Sequence, residues 1–249
     1  MVKKPRVVVV IPARYKSTRL PGKPLAEICG KPLIFWVYTQ AKKIKNIDDI
    51  FVATDDECIK KTVENFNGKA ILTSDKHQTG TDRIAEAVQR INADIIVNIQ
   101  GDEPLFDPNS VEKLVDTLIS DRKKEISMVT LMTKIKDANQ YNNINTVKVV
   151  YDNSGFALYF SRALIPYPQE KNNYAVYKHV GIYGFRKDFL MHYSKMQQTP
   201  LEKIESLEQL RILENGFKIK LIETDCEPIS IDTPVDLELI KKHFNRKQD

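Results

Sequence analysis

A basic segment near the N-terminus holds residues suited to phosphate chemistry. Between Ile11 and Pro24 the sequence carries four cations and no acid: Arg14, Lys16, Arg19 and Lys23. Arginine clamps phosphate oxygens through its planar fork, and lysine adds a compact positive charge. These side chains predict a loop that binds a triphosphate and stabilises the charge of a leaving pyrophosphate.

The position of this basic segment favours binding over a merely solvated loop. It follows Val7–Ile11, which has the composition of a buried strand, and its prolines and Gly22 stiffen the path. Open α/β sheets bind ligands at the carboxyl ends of their strands. Neither the P-loop motif nor the glycine-rich dinucleotide fingerprint occurs, so P-loop hydrolysis and nicotinamide chemistry lose support.

Two further carboxylates follow apolar runs. Asp102 comes just after Ile95–Ile99, with Gly101 beside it for close backbone approach to a ligand. Asp232 precedes Pro234 in the C-terminal part of the chain. Mg²⁺ takes one or two carboxylates together with phosphate oxygens, so the two aspartates would form a metal site if they meet. The alternatives are a turn at Asp102 and a helix cap at Asp232.

The elements that must position these residues indicate an α/β fold. Strand-like and amphipathic runs alternate over the first hundred residues, as in βα units with a parallel sheet. We predict a Rossmann-like three-layer α/β/α domain with a mostly parallel sheet. The predicted strands and helices of this half are Val7–Ile11, Leu33–Ile44, Ile50–Thr54, Glu57–Phe66 (capped by Asp55 or Asp56), Ala70–Leu72, Ile84–Ile91 (started by Thr81 or Asp82) and Ile95–Ile99.

The middle of the chain is richer in strands. The runs there predict strands at Met128–Met132, Val147–Tyr151, Ala157–Ser161 and His179–Phe185. Helix Leu201–Asn215, strand Ile219–Glu223 and helix Pro234–Phe244 follow. No flexible linker is evident, so we expect one domain over residues 1–249. Its inserted lobe, roughly residues 125–186, would cover the open edge of the sheet or meet a second subunit.

Composition excludes several classes of protein. The chain has 249 residues, 42% hydrophobic and 29% charged, with a net charge of +5 spread along it. The basic residues cluster in one short loop instead of a broad stripe, which disfavours nucleic acid as a partner. Apolar runs are too short for a signal peptide or a bilayer span. Cys29, Cys58 and Cys226 lack pairing or metal-ligand spacing, so we expect a cytoplasmic protein with reduced thiols.

Taken together, the motifs resemble the CMP-Kdo synthetase family, the 3-deoxy-manno-octulosonate (Kdo) cytidylyltransferases. They run in family order from residue 7 to 244. The matching segments are Ile11–Pro24, Ala53–Asp55, His77–Arg83, Asn98–Pro104, Ala157–Pro166, His179–Tyr183, Leu207–Leu213 and Asp232–Leu237.

The resemblance implies a role for each matching residue. Arg14, Arg19 and Lys23 would hold the triphosphate and, with Asp102, form the catalytic set. The nucleotide would also contact Pro12, Ala13, Gln78, Thr79, Gly80 and Arg83. Asp102 and Asp232 would bind Mg²⁺. The sugar pocket would contain Gln100, Arg162, His179, Tyr183, Glu208 and Gln209. Arg162 also suits the sugar on chemical grounds, because the sugar carries a carboxylate.

Three positions depart from the family pattern. Val235 stands where the family usually has Glu, Thr79 replaces a usual Ser, and Tyr167 replaces a Trp beside the sugar pocket. The last departure leaves the exact sugar open between Kdo and its 8-amino variant.

The implied reaction is attack by the anomeric hydroxyl of an anionic eight-carbon sugar acid on the α-phosphorus of CTP. It would give a CMP-sugar and pyrophosphate for lipopolysaccharide or capsule biosynthesis, catalysed mostly by positioning and charge neutralisation. We expect a homodimer that needs Mg²⁺ and assign no general base, because a bound Mg²⁺ could itself lower the pKa of the attacking hydroxyl. The rivals are a sialic-acid-type synthetase, a nucleotide-sugar glycosyltransferase and a non-catalytic nucleotide-binding module. A glycosyltransferase would normally carry Asp-x-Asp at the metal position, where Asp102-Glu103-Pro104 stands.

Overall fold

The computed structural model describes residues 4–16, 20–77, 79–170, 174–227, 229–231 and 233–245, with only the backbone at residue 245. The chain divides into two compact units. The first comprises Met1–Glu112 with Pro228–Asp249, and the second comprises Lys113–Glu227. The predicted strand-rich segment, residues 125–186, falls within the second unit. That residues 1–249 form one domain stays a prediction.

The first unit alternates strands and helices. Its elements in chain order are β1 (Val7–Ala13), a 3₁₀ helix (Lys23–Leu25), β2 (Glu27–Ile28), β3 (Lys31–Pro32), α1 (Leu33–Ala41), β4 (Asp49–Thr54), α2 (Glu57–Asn65), β5 (Lys69–Leu72), α3 (Gly80–Gln89), β6 (Ile95–Asn98) and α4 (Pro108–Ser120), which runs into the second unit.

The sheet of the first unit is parallel, with the strand order β6-β1-β4-β5. Its central strand β1 is fully buried from Val7 to Ile11, as expected for a strand covered on both faces. The register pairs Val10 with Asn98 on one side and Ala13 with Thr54 on the other. The carboxyl ends of these strands therefore share one edge, and the predicted α/β class is confirmed.

Two helix starts are set by side-chain caps. Asp56 accepts from the backbone N–H of Ile59 at 3.0 Å and begins α2, which decides between the two predicted caps. Thr79 accepts from the N–H of Asp82 at 3.1 Å, so α3 begins at Gly80. The prediction that Thr81 or Asp82 starts this helix was wrong, because the hydroxyl of Thr79 reaches the free N–H groups one turn earlier.

The C-terminal helix α8 (Pro234–Asn245) belongs to the first unit. Thr233 Oγ1 and its backbone N–H both donate to Asp236 Oδ2 at 2.8 Å, and Asp236 N donates back to Thr233 Oγ1 at 3.3 Å. This reciprocal capping box caps the helix start with Thr233, while Asp232, the predicted cap, lies outside the described residues. Phe244 lies 4.5 Å from Trp36, measured between ring centroids, which docks the helix against α1.

The second unit begins with the remainder of α4. Its further elements are β7 (Met128–Lys134), a 3₁₀ helix (Ala138–Gln140), β8 (Lys148–Tyr151), β9 (Ala157–Ser161), β10 (Tyr177–Arg186), α5 (Lys187–Tyr193), α6 (Pro200–Glu205), α7 (Gln209–Glu214) and β11 (Ile219–Glu223). Strand β7 pairs in parallel with β11 and antiparallel with β10. Strand β8 pairs antiparallel with both β10 and β9.

The predicted helix Leu201–Asn215 is two short helices. Ser206 ends α6 with φ 53°, a left-handed conformation that helices do not continue through. Glu202 on α6 and Arg211 on α7 form a buried ion pair at 2.5 Å, which folds one helix onto the other. Within the described residues no helix combines the length and apolar character needed to cross a bilayer. The three cysteines are free thiols.

Candidate functional site

The basic loop leaves β1 at the carboxyl edge of the first unit's sheet. Arg14 and Lys16 are exposed there. Gly22 closes the loop, since its N–H donates to the carbonyl of Tyr15 at 3.0 Å and its φ of 66° suits glycine. Arg19 and its neighbours Ser17 and Thr18 lie outside the described residues. The loop thus presents its described cations at the edge where ligands bind in such sheets.

Lys23 and Asp102 meet at this edge. Lys23 Nζ donates to Asp102 Oδ2 at 2.5 Å, although 79 positions separate the two residues. Both side chains are only partly exposed, 14% for Lys23 and 24% for Asp102. The pair brings a cation of the basic loop next to the carboxylate that follows β6. These are the group types that a metal–triphosphate complex requires.

The turn at Gly101 and the start of α3 at Gly80 both approach Pro12. A Cβ built on Gly101 would lie 2.7 Å from the carbonyl oxygen of Pro12, and one built on Gly80 would lie 3.4 Å from the Pro12 ring. The first contact is too close for any side chain, whereas the second is near ordinary packing. Gly101 therefore permits the Asp102 loop to sit directly on the end of β1, with Ala13 buried beside it.

We expect Gly101→Ala to weaken CTP binding, because the added methyl pushes the Asp102 loop away from Pro12. Displacement of about 1 Å in a positioned group costs up to a hundredfold in rate. Nucleotide titration followed by calorimetry and steady-state kinetics measures both effects. Gly30→Ala is the control for strain away from the site: its methyl meets open space but its φ of 72° strains alanine, so it should lower stability and leave CTP affinity unchanged. Unchanged CTP affinity in Gly101→Ala would contradict this reading of the loop.

Arg83 lies in the interior. Its side chain is 3% exposed and donates to Thr73 Oγ1 at 2.7 Å and to Asp55 Oδ2 at 3.1 Å. Asp55 follows β4 and Thr73 follows β5, so the guanidinium fastens the ends of both strands beneath the start of α3. This geometry favours a supporting role in the nucleotide site. Gln78, the predicted neighbour of Thr79, lies outside the described residues.

The segment before Asp232 meets the Asp102 loop. The N–H of Ile231 donates to the carbonyl oxygen of Asp102 at 3.0 Å. Asp232 itself lies outside the described residues, and among the described residues no three His, Cys, Asp or Glu side chains group as metal ligands. Gln100 stands in the same turn, where its carbonyl accepts from Glu103 N at 3.3 Å.

The remaining predicted residues belong to the second unit. Here His179 Nε2 lies 2.9 Å from Thr130 Oγ1. The Thr130 hydroxyl has two carbonyl acceptors, Ile182 O at 2.8 Å and Val180 O at 3.2 Å, which engage its single proton. This arrangement favours the tautomer with its hydrogen on His179 Nε2, which leaves Nδ1 as an acceptor. Burial of the imidazole lowers the pKa of His179 to about 3, so the ring is neutral at neutral pH.

Tyr193 connects Tyr183 with the start of α7. The rings of His179, Tyr183 and Phe185 follow one another along β10 at centroid distances of 5.4 and 6.2 Å, and Phe185 lies 6.4 Å from Tyr193. The Tyr193 hydroxyl donates to the carbonyl of Glu208 at 3.0 Å. Burial raises the pKa of Tyr193 well above its ordinary value, so this hydroxyl stays protonated.

Gln209 is 4% exposed, and its amide Nε2 has no hydrogen-bond partner among the described residues. Buried amide donors in folded proteins are almost always paired. A donor left in this state is suited to a polar ligand or water. Gln209 follows Glu208 directly, so this donor lies close to the other predicted sugar-binding residue of α7.

Arg162 is tied to the turn between α6 and α7. Its Nε donates to the carbonyl of Glu205 at 2.8 Å, and its Nη1 donates to the carbonyl of Ile144 at 2.9 Å. A longer contact of 3.4 Å reaches Ser206 O. These bonds use three of the five guanidinium donors. The structure thus brings Arg162 to the turn that leads into Glu208, and leaves it donors for a ligand.

Sequence reasoning missed several residues that hold the predicted ones in place. Thr130 orients His179, Tyr193 supports Glu208, and Lys148 and Glu205 contact Arg162. Only Lys148 left a signal in the sequence, because it is a charged residue between Val147 and Val149 in an otherwise apolar strand.

The chain matches the cytidylyltransferase family profile over residues 8–221. It is similar to the 3-deoxy-manno-octulosonate cytidylyltransferase of Fusobacterium nucleatum, with 51% identity over 93% of this chain and 94% of that protein. It is also similar to the 8-amino-3,8-dideoxy-manno-octulosonate cytidylyltransferase of Shewanella halifaxensis, with 47% identity over 94% of this chain and 96% of that protein.

A solved structure extends the similarity to the fold. It is a CMP:2-keto-3-deoxy-manno-octonic acid synthetase complexed with CTP. Its TM-score is 0.93 and its identity 42%, with 97% of this chain and 99% of that chain covered.

Proposed function

Because the chain belongs to the cytidylyltransferase family, we propose that it transfers CMP from CTP to the anomeric hydroxyl of Kdo, with release of pyrophosphate. The observation that carries the proposal is the contact between Lys23 and Asp102 at the carboxyl edge of the first unit's sheet. In this contact, a cation suited to binding a triphosphate meets a carboxylate suited to binding a metal ion. The relatives named for Kdo, and the neighbour complexed with CTP, supply the substrate pair.

The basic loop would bind the leaving group. Arg14 is exposed beyond β1 and Lys23 lies at the far end of the loop, so the two would flank the β- and γ-phosphates. Arg19 is the third cation of this set. Positive charge at these oxygens stabilises the pyrophosphate more as its charge develops, which lowers the barrier. Lys23 would exchange Asp102 for a phosphate oxygen when the nucleotide arrives.

Asp102 fits a divalent cation. Its carboxylate is partly exposed and already faces a positive charge, that of Lys23. The bond from Ile231 to its carbonyl places it next to the segment that continues into Asp232. One or two carboxylates with phosphate oxygens make a usual Mg²⁺ site. We therefore assign Asp102 and Asp232 as Mg²⁺ ligands. The bound ion would neutralise phosphate charge and acidify the attacking hydroxyl.

The second unit would hold the sugar acid. The guanidinium donors left on Arg162 would bind the carboxylate, and Gln209 Nε2 would donate to a sugar oxygen. Neutral His179 would accept a hydroxyl hydrogen through Nδ1. We assign it no general-base role, because burial lowers the pKa of its imidazole and makes it a weak base. Tyr183 and Glu208 of the same unit complete the proposed pocket.

The 8-amino sugar is the second candidate acceptor. The Shewanella relative named for it is 47% identical to this chain, close to the 51% of the Fusobacterium relative named for Kdo. The two acids differ only at C8, far from the carboxylate that Arg162 would bind. Either acid would therefore use the same nucleotide chemistry.

Pyrophosphate release tests the proposal. The assay combines Mg²⁺, each of the four nucleoside triphosphates, and a panel of Kdo, 8-amino-Kdo and sialic acid. We expect release only with CTP and Kdo together, while preference for 8-amino-Kdo would select the second candidate. Release with sialic acid alone would assign the sialic-acid type, and release with none would leave a nucleotide-binding module. Omitting Mg²⁺ with EDTA present should abolish the reaction.

We further propose a cytoplasmic homodimer that supplies lipopolysaccharide or capsule biosynthesis with its activated sugar. The second unit exposes several large apolar side chains that a partner subunit would cover: Ile144, Leu158, Tyr167 and Ile204. Kdo in the names of the relatives supports the biosynthetic role. Sedimentation velocity at micromolar concentration distinguishes a dimer of 57 kDa (twice the 28.7 kDa chain) from a monomer.

A further inference from the structure

Lys148 is a lysine in the interior of the second unit. It lies in β8, its exposed fraction is 0%, and its ammonium donates to three carbonyl oxygens: Asn143 at 3.0 Å, Thr146 at 2.7 Å, and Arg162. An ammonium has three N–H donors, so each one is used. Burial lowers the pKa of Lys148, while the charge of Glu205 opposes this shift and that of Arg162 adds to it.

Arg162 and Lys148 both donate hydrogen bonds to the same loop, residues 143–146. Lys148 holds the carbonyls of Asn143 and Thr146, and the guanidinium of Arg162 holds the carbonyl of Ile144 between them. Glu205 fixes Arg162 from the other side. Its Oε2 accepts from the backbone N–H of Arg162 at 2.9 Å.

We propose that Lys148 is a positioning residue for Arg162 in the recognition of the sugar carboxylate. The proposal rests on the function assigned above to Arg162. Without the ammonium, three carbonyl oxygens would be left without their hydrogen-bond donor. Loop 143–146 would then shift so that its carbonyl oxygens reach water. The guanidinium of Arg162 would then lose its hydrogen bond to the carbonyl of Ile144 and its orientation towards the substrate. Lys148 acts through Arg162 and touches no substrate itself.

The test is Lys148→Met, which keeps the apolar stem and removes the charge. In the full-length protein we expect the KM for the sugar acid to rise about tenfold or more, with the KM for CTP within about twofold of normal. Arg162→Met should raise the same KM, and the double variant should be no worse than Arg162→Met alone. Lys203→Met, an exposed lysine on α6, is the matched control and should change neither KM.

Two further variants separate positioning from loss of fold. Lys148→Gln keeps two donors and should raise the acid KM less than Lys148→Met does. Lys148→Ala should regain acid affinity when propylammonium is added, with CTP affinity unaffected. The inference is overturned if the acid KM of Lys148→Met stays normal, if both KM values rise together, or if propylammonium rescues nothing. If the protein without substitutions does not convert CTP and Kdo, the proposed function is wrong, and this inference is wrong with it.

Discussion

Replacement of Asp102 by Ala should abolish turnover while the protein stays folded. Asp102 contacts a cation of the basic loop, since its carboxylate lies 2.5 Å from Lys23 Nζ. Its loss would remove a proposed metal ligand and a partner of Lys23 together. Electrostatic groups at reacting phosphates are worth about a thousandfold each, so we expect the rate to fall at least that far. Continuous pyrophosphate release measures the loss.

Asp102→Asn tests whether turnover requires the charge of Asp102 or only the size of its side chain. The amide keeps the size of the side chain and accepts from Lys23, yet it lacks the charge that holds a divalent cation. We expect it to be nearly as inactive as Asp102→Ala, with a normal far-UV circular dichroism spectrum. Asp75→Ala, which removes an exposed carboxylate elsewhere in the first unit, is the control and should retain activity. Near-normal turnover in either Asp102 variant would remove this residue from the proposed metal site.

Glu202→Leu should destabilise the second unit by about 3 kcal/mol. Glu202 and Arg211 are 3% and 5% exposed, and they form two bonds, Nη2–Oε1 at 2.5 Å and Nε–Oε2 at 2.8 Å. The hydrogen bond to Glu202 raises the pKa of Arg211 above its ordinary value and outweighs the lowering effect of burial, so the guanidinium stays charged. Removing Glu202 therefore leaves an unpaired charge in the interior. Urea unfolding followed by circular dichroism measures the cost.

The double variant Glu202→Leu/Arg211→Met tests the cause. Because it removes both charges, it should recover most of the lost stability. Glu57→Gln breaks an exposed pair with Lys60 at 3.7 Å and is the control, with an expected cost under about 0.5 kcal/mol. If Glu202→Leu costs no more than Glu57→Gln, the buried pair does not hold α6 against α7.

Much of the first unit follows from local sequence. The apolar runs locate the parallel strands, and parallel topology alone brings strand ends to one edge. That is why Lys23 and Asp102 were both assigned to the site, although they are 79 positions apart. The start of α3 was misplaced because Thr79, Thr81 and Asp82 are all acceptable caps. Only the backbone geometry before Gly80 selects Thr79.

The second unit was harder to predict because tertiary contacts override local preference there. The residues from Leu201 to Asn215 suit one helix, yet the Glu202–Arg211 pair is made only if the chain turns at Ser206. The tautomer of His179 depends on its contact with Thr130. The position of Arg162 depends in the same way on its contact with Lys148. These partners lie on other strands, and no local pattern links them. Motifs therefore predict functional residues in this half, whereas the residues that hold them in place are visible only in the structure.

The central claim is attack at the α-phosphorus of CTP by the sugar's own hydroxyl. A ³¹P NMR time course with CTP, Mg²⁺ and Kdo tests it directly. We predict that the three CTP resonances are replaced by one phosphodiester resonance, that of the CMP-sugar, and by pyrophosphate in equal amount. Formation of CDP with phosphate, or of free CMP with pyrophosphate from the outset, would place the reaction at another phosphorus or with water and would contradict the account.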